Sequence, residues 1–581
     1  MIKQKVIEKY PRNTNHLITK YFFIFICTLE IGFVIWRYII VPTKNSETFL
    51  FTFIVVLLIS FLPGLALVLN IFKEMESSFA FTFGLCIGYG LIAGIWSFMI
   101  LLGCPLNPYL YTCVVFFITG FLLYRKRYEF KALFTKKCNL KNLLPPFAIL
   151  LFTFIILSTT WLNSHVMTDV DCQSDSYNTL MILKEGSYPI VSPYLDQTKL
   201  QLNSGPLFHT LIAVITKLKN SILHNEIMAI TITSGAFFSM AIYFLVSFLI
   251  KNEIILFLAG ILTLTRAYLS FFNDGNLPEN IAFYYAVLFI IFIFFTIEKK
   301  KIIFAVISGL CLSFCMLSHP MIFLYNAPPF GLFFITFLFS KNKNVIKDYV
   351  NLSIILSTIL ILVFPFILRL KGAQVSNELF GNDATTLIGS LPYWNGYIVL
   401  ILALVGIILL ATKRESVNIY FWTYFLIVLI FVEHWRFFQI LSPPWFELKS
   451  HAIPIFGSNY SYKSIFEYPS NYLSAWQAGV IIWPVLIAIV INFFYRISQQ
   501  YIKLQILKNS FIFFFVSLVG LFIWYEFNEA KRYPEFILQS DYSALLWIKE
   551  NSIYENTLIY SPLDKANENT IPNYLTSFWA P

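Results

Sequence analysis

Apolar stretches of about 18 residues or more recur along the whole chain, and stretches of that length belong in lipid rather than in water. Within a bilayer every backbone amide must be satisfied internally, and runs this long suit helices rather than barrel strands. Only 12% of the 581 residues are charged while 58% are hydrophobic, and the mean hydropathy is +0.71. A water-soluble fold is excluded. The expected fold class is an all-α polytopic membrane protein.

Candidate crossings fall at 21–41, 50–72, 79–102, 109–123, 143–161, 226–250, 254–272, 278–297, 302–317, 321–339, 350–368, 397–411, 417–432, 479–495 and 511–525. That makes about fifteen, each near the length a bilayer needs. The net charge of +10 is spread through short loops, where it orients the chain and does not mark a nucleic-acid partner. Arg125, Lys126, Arg127, Lys131, Lys136, Lys137 and Lys141 make the strongest basic loop. Four crossings from a cytoplasmic amino terminus bring the chain back to the cytoplasm there, in keeping with the positive-inside rule. Later basic clusters, including Lys299 to Lys301 and Lys413 with Arg414, fall on the same side only if 206–218 does not cross. That run is too short to span and is expected as a re-entrant or surface helix on the outer side.

Three parts follow: an amino-terminal four-span unit (1–142), a transmembrane core (143–525) and a short extracytoplasmic α/β tail (526–581). The expected location is the plasma membrane of a bacterium or archaeon. Segments 162–204, 371–394 and 433–478 also face outward. Most of the eight cysteines lie in predicted spans, so no disulfide scaffold is implied. Glu30 and Arg37, two turns apart on the first span, are assigned to packing between the first two parts.

In segment 162–204, Asp169, Asp171 and Asp175 come directly after a span. Carboxylates crowded beside an apolar wall raise one another's pKa unless a cation joins them. Such a trio can hold a divalent cation, Mg or Mn, through oxygen ligands, or supply a general base. A solvated acidic loop is the alternative. After Asp175, Tyr177, Leu180, Met181 and Leu183 take up helical spacing until Gly186, as in a helix lying along the interface.

Asp175 with Tyr177, the short amphipathic helix ending in Gly186 with Tyr188 and Pro189 beyond, and then Gly205, Pro206, Leu207, Phe208 and His209 at the mouth of an apolar helix resemble the first outer loop of GT-C glycosyltransferases. These are polytopic enzymes that use sugars carried on polyprenyl phosphate or diphosphate. Beyond that segment only the helix rhythm is shared. The resemblance implies a GT-C-like helix bundle, with Asp175 as the catalytic carboxylate and Asp171 and Asp169 as looser Asp-x-Asp companions. Tyr177 and His209 would line the substrate site. It also implies a lipid-linked sugar donor and a glycan, lipid or protein acceptor. The run FNDGNLPEN places Asp274 and Glu279 at an outer turn similar to a second acidic loop. Turn chemistry with Asn273 and Gly275 would explain Asp274 equally well. His319 sits at another outer turn, as a substrate contact or simply as a helix-end residue.

A carrier phosphate needs cations at headgroup depth, and Arg266, Arg369 and Arg436 are candidates, since Arg meets phosphate bidentately. Interfacial snorkelling is the other reading. The expected reaction is inverting transfer, with Asp175 deprotonating an acceptor hydroxyl. A transporter or flippase for a lipid-linked glycan competes with it, and should show ionisable groups at mid-membrane on broken helices, whereas most charges here collect at the outer rim. The chain has neither a Walker A sequence nor a convincing dinucleotide fingerprint, which argues against an ATP-driven pump and a nucleotide-sugar enzyme.

Overall fold

A computed structural model describes residues 16–43, 45–72, 76–135, 139–162, 170–188, 205–265, 268–269, 272, 277–338, 345–370, 397–411, 418–425, 473–501, 514 and 516–525. Among them no strand occurs. The helices are α1 (His16–Val34), continued by a π-helical stretch (Ile35–Ile40), α2 (Ser46–Ile71), α3 (Ser77–Leu101), α4 (Pro108–Arg125), α5 (Arg127–Thr135), α6 (Leu140–Trp161), α7 (Val170–Glu185) and α8 (Pro206–Lys219). They continue with α9 (Leu223–Val246), α10 (Glu253–Ile261), α11 (Leu277–Lys299), α12 (Ile302–Ser318), α13 (Pro320–Leu338), α14 (Val345–Leu370), α15 (Tyr397–Ala411) and α16 (Leu473–Tyr501). Among the described residues, eight helices are long and apolar enough to cross a membrane and four apolar ones are shorter. The tail 526–581 and the segments 371–394 and 433–472 lie outside the described residues.

Central and peripheral helices differ in burial rather than in composition. The apolar windows of α9 and α11 are 100% and 89% buried, whereas those of α1 and α4 are only 22% buried. Helices that are apolar on every side yet largely uncovered suit a lipid surround. Contacts between helix ends fix the directions of the helices from α2 to α12. At one end Asn45 bonds the carbonyls of Trp161 and Leu162, Leu106 N–H bonds Gly186 O, and Gly205 N–H bonds Ser318 O. At the other, Asn142 bonds Glu76 and Tyr243 donates to Glu253. That second end carries Arg125 to Lys131 and is called the basic end below; the first is the α7/α8 end.

The closest approach is between α2 and α3. A Cβ on Gly64 would stand 1.7 Å from Gly84 O, and one on Gly88 would stand 1.9 Å from Ser60 O. Small residues let two backbones meet in this way within a membrane. Gly64→Ala and Gly88→Ala should each destabilise by about 1–3 kcal/mol or more, because no side chain can swing aside to relieve a backbone overlap. Gly120→Ala on α4, where nothing lies within 4 Å, is the control. Thermal unfolding in detergent should show a fall for the first two and none for the third.

Two expectations are corrected. The run 254–272 is not one continuous helix: α10 stops at Ile261, and Thr263 and Leu264 bond back only three residues, to Gly260 and Ile261. At the break the Thr263 hydroxyl takes Gly260 O at 2.8 Å and meets Ser239 on α9 at 2.5 Å. Threonine hydroxyls compete in this way for helical carbonyls. The helix expected to begin after Asp175 already begins at Val170, so Asp171 and Asp175 stand one turn apart within α7. Carboxylates near a helix start are favoured by its dipole.

Candidate functional site

α8 begins and ends at the same end of the bundle. Its first residues adjoin the end of α12 through the Gly205–Ser318 bond, and Lys219 at its close bonds Thr52, early in α2, and Glu226, early in α9. It therefore does not traverse the bundle. Gly205 is required at the entrance, because a Cβ there would lie 2.0 Å from Leu317 O. Pro206 follows at the first helical position, where its missing N–H costs nothing.

This placement brings His209 against α7. Asp175 Oδ1 lies 3.5 Å from His209 Nε2, and both side chains are buried. One turn on, the Thr179 hydroxyl stands 3.2 Å from His209 Nδ1 and donates to Asp175 O at 2.8 Å. Burial pushes the His209 pKa down to about 3, against the pull of its hydrogen bond to the Asp175 backbone. The imidazole is neutral in the native state and titrates near its ordinary value of about 6.5 once unfolded. The native state thus binds fewer protons below that value, and the stability this burial allows is full above pH 6.5 and is lost as pH falls toward 3. Melting temperature followed over that window should drop with acid, and His209→Gln should flatten this part of the profile.

A second pair occupies the same end. Glu279 stands in the first turn of α11, and His319 caps α12 with extended backbone before Pro320 opens α13. Glu279 Oε1 and His319 Nε2 are 3.0 Å apart, while Glu279 Oε2 and His319 Nδ1 are buried without a hydrogen-bond partner. The helices carrying the two pairs touch: α7 meets α8 and α11, and α8 meets α12. An ion pair, Lys219 with Glu226, closes the far end of α8, with the Thr52 hydroxyl donating to Glu226 Oε2 at 2.8 Å. Asn178, on α7 beside Thr179, is buried with its Nδ2 unpartnered.

The structure thus brings Asp175 to His209 and Glu279 to His319. Asp171 and Tyr177 lie on α7 and Arg369 in the last turn of α14, but their side chains are outside the described residues. Asp169, Asp274, Arg266 and Arg436 lie outside them entirely. Among the described residues no group of three His, Cys, Asp or Glu side chains is assembled to hold a metal ion. Neither pairing was visible in the sequence, because each joins residues from different helices and no periodicity encodes that. Lys219 and Glu226 were missed for the opposite reason: each reads as an ordinary charge at a helix end.

No protein-family model matches the chain, and no curated protein matches it. Helix lengths, composition and packing define a polytopic, all-helical membrane protein. Two acid–imidazole pairs, Asp175 with His209 and Glu279 with His319, stand at one end of its bundle.

Proposed function

We propose that the protein is an integral membrane glycosyltransferase that moves a sugar from a polyprenyl-phosphate-linked donor to a glycan, lipid or protein acceptor. The α7/α8 end would face the outside of a plasma membrane, opposite the basic loops. The observation that carries this reading is the buried Asp175, held against His209 in the segment that resembles the GT-C outer loop.

The hydrogen-bond order around Asp175 suits a general base. With Thr179 donating to the Asp175 carbonyl, a His209 Nδ1–H is shared between the Thr179 oxygen and that same carbonyl, and Nε2 presents its lone pair toward Oδ1. Taking a proton from an acceptor hydroxyl then converts Asp175 to an acid that can donate to Nε2. The pair gains a hydrogen bond as the reaction proceeds, the direction in which a base should be stabilised. The freed oxygen attacks the anomeric carbon from the face opposite the departing lipid phosphate. Arg266, Arg369 and Arg436 remain the candidates to meet that phosphate. A divalent cation would draw on Asp169 and Asp171, and no step here is routed through one.

The test is transfer of a labelled sugar from a polyprenyl-linked donor by membranes containing the protein. One observation favours a second reading as transporter or flippase: α10 is broken within the membrane, with the Ser239 and Thr263 hydroxyls at the break, as broken helices serve transporters. Movement of intact lipid-linked glycan across vesicles, without transfer, would support it.

A further inference from the structure

We propose that Glu30 is an intramembrane proton-binding site: a carboxyl at the middle of the first apolar stretch, buried with no counter-ion among the described residues, that gains and loses a proton. Its position is the first observation. The apolar stretch of α1 and its π-helical continuation runs from Tyr21 to Ile40, so Glu30 lies at mid-depth, where an ionisable residue is costly and marks function by default. Burial is the second. Only 22% of that stretch is buried, yet Glu30 is 6% exposed, turned into the protein on a helix that otherwise faces outward. Third, neither carboxyl oxygen has a hydrogen-bond partner among the described residues.

Among the described residues no charge stands ready to balance it. α1 packs on α6, whose stretch from Leu143 to Trp161 has no ionisable side chain, and meets α10 through Phe23 and Phe257. The titratable group of α10, Glu253, is bonded to Tyr243 at the basic end. On α2, which touches the π-helical stretch, Glu47 lies in the first turn at the opposite end. On α1 itself Cys27 contacts Leu144 O at 4.0 Å, and the Arg37 guanidinium reaches Val41 O at 3.5 Å. A lone carboxylate in such a place is far costlier than a neutral acid lacking one hydrogen bond. Glu30 therefore holds its proton at rest, and releasing it requires α1 to shift or a cation to enter. Pro145 and Pro146 lie on α6 toward the basic end. They lack the N–H groups that would bond the carbonyls of Lys141 and Asn142, leaving acceptors for water beside the α1–α6 seam.

The site does not depend on the glycosyltransferase reading and is tested without it, by infrared spectroscopy on the reconstituted full chain. The wild type should show the C=O stretching band of a protonated carboxylic acid that Glu30→Gln lacks. That band should shift in D2O and fade at high pH. An identical spectrum in Glu30→Gln would mean an ionised Glu30 and overturn the proposal. So would a band that never shifts in D2O, since a sealed proton is not exchanged. Glu30→Gln should also keep the wild-type melting temperature, because an amide replaces a neutral acid without stranding a partner. A variant that fails to fold would reveal a hidden cation and equally overturn the assignment.

Discussion

Asp175→Asn should reduce sugar transfer by about 10²–10⁴-fold, the range that a positioned general base contributes, while leaving the fold intact. Asparagine matches aspartate in shape and keeps the backbone bond from Thr179, but its amide cannot accept the acceptor's proton. Loss should therefore fall on turnover rather than on donor binding. Transfer from a labelled polyprenyl-linked sugar, normalised to protein showing wild-type thermal unfolding, is the measurement. Glu279→Gln serves as comparison, because the second pair lies at the same end and shares the same partner type. Equal loss in both variants would make the two pairs one unit, and full activity in Asp175→Asn would reject that residue as the base. Thr179→Val should act in the same direction as Asp175→Asn but more weakly, because it frees the His209 ring to choose the other tautomer without removing the base itself.

The helices were legible in the sequence because lipid imposes one rule, internal satisfaction of backbone bonds, on every apolar run. The run 397–411 coincides with α15, and 302–317 is α12 short by one residue. The break after Ile261 was not legible, since hydropathy averages over Thr263 and Thr265 and does not register where the backbone bonds change from four residues to three. Asp175 and His209 could each be singled out, one from an acidic cluster and the other from the mouth of a short helix. Their meeting depends on Gly205 letting α8 lie against Leu317, a constraint of backbone contact with no periodic signature. Glu30 was visible as a charge in a span, and pairing or packing seemed its natural fate. Only coordinates could show that Arg37 points elsewhere.

Lys219 and Glu226 should show the largest stability effect of any charged pair described here. Their side chains are 6% and 0% exposed, and the Lys219 ammonium also sits 5.2 Å from the centre of the Phe51 ring. Removing one partner leaves the other charge buried and unpaired, which costs about 3–5 kcal/mol. Lys219→Met and Glu226→Leu should each lower the melting temperature sharply, whereas the double variant should recover much of the loss, since two apolar side chains need no mutual compensation. Additive single effects, or singles as stable as the wild type, would show that the pair is not closed off from water. The consequence reaches the site because α8 is fastened at two points, Gly205 against α12 and Lys219 against α9 and α2. Cutting the second loosens the close of the short helix that carries His209, whose length stays packed on α3 and α7. The single variants should therefore lose sugar transfer beyond what their folded fraction explains, and the double variant should regain stability more fully than activity, because Met and Leu refill the space without restoring the hydrogen bonds that set the angle of α8.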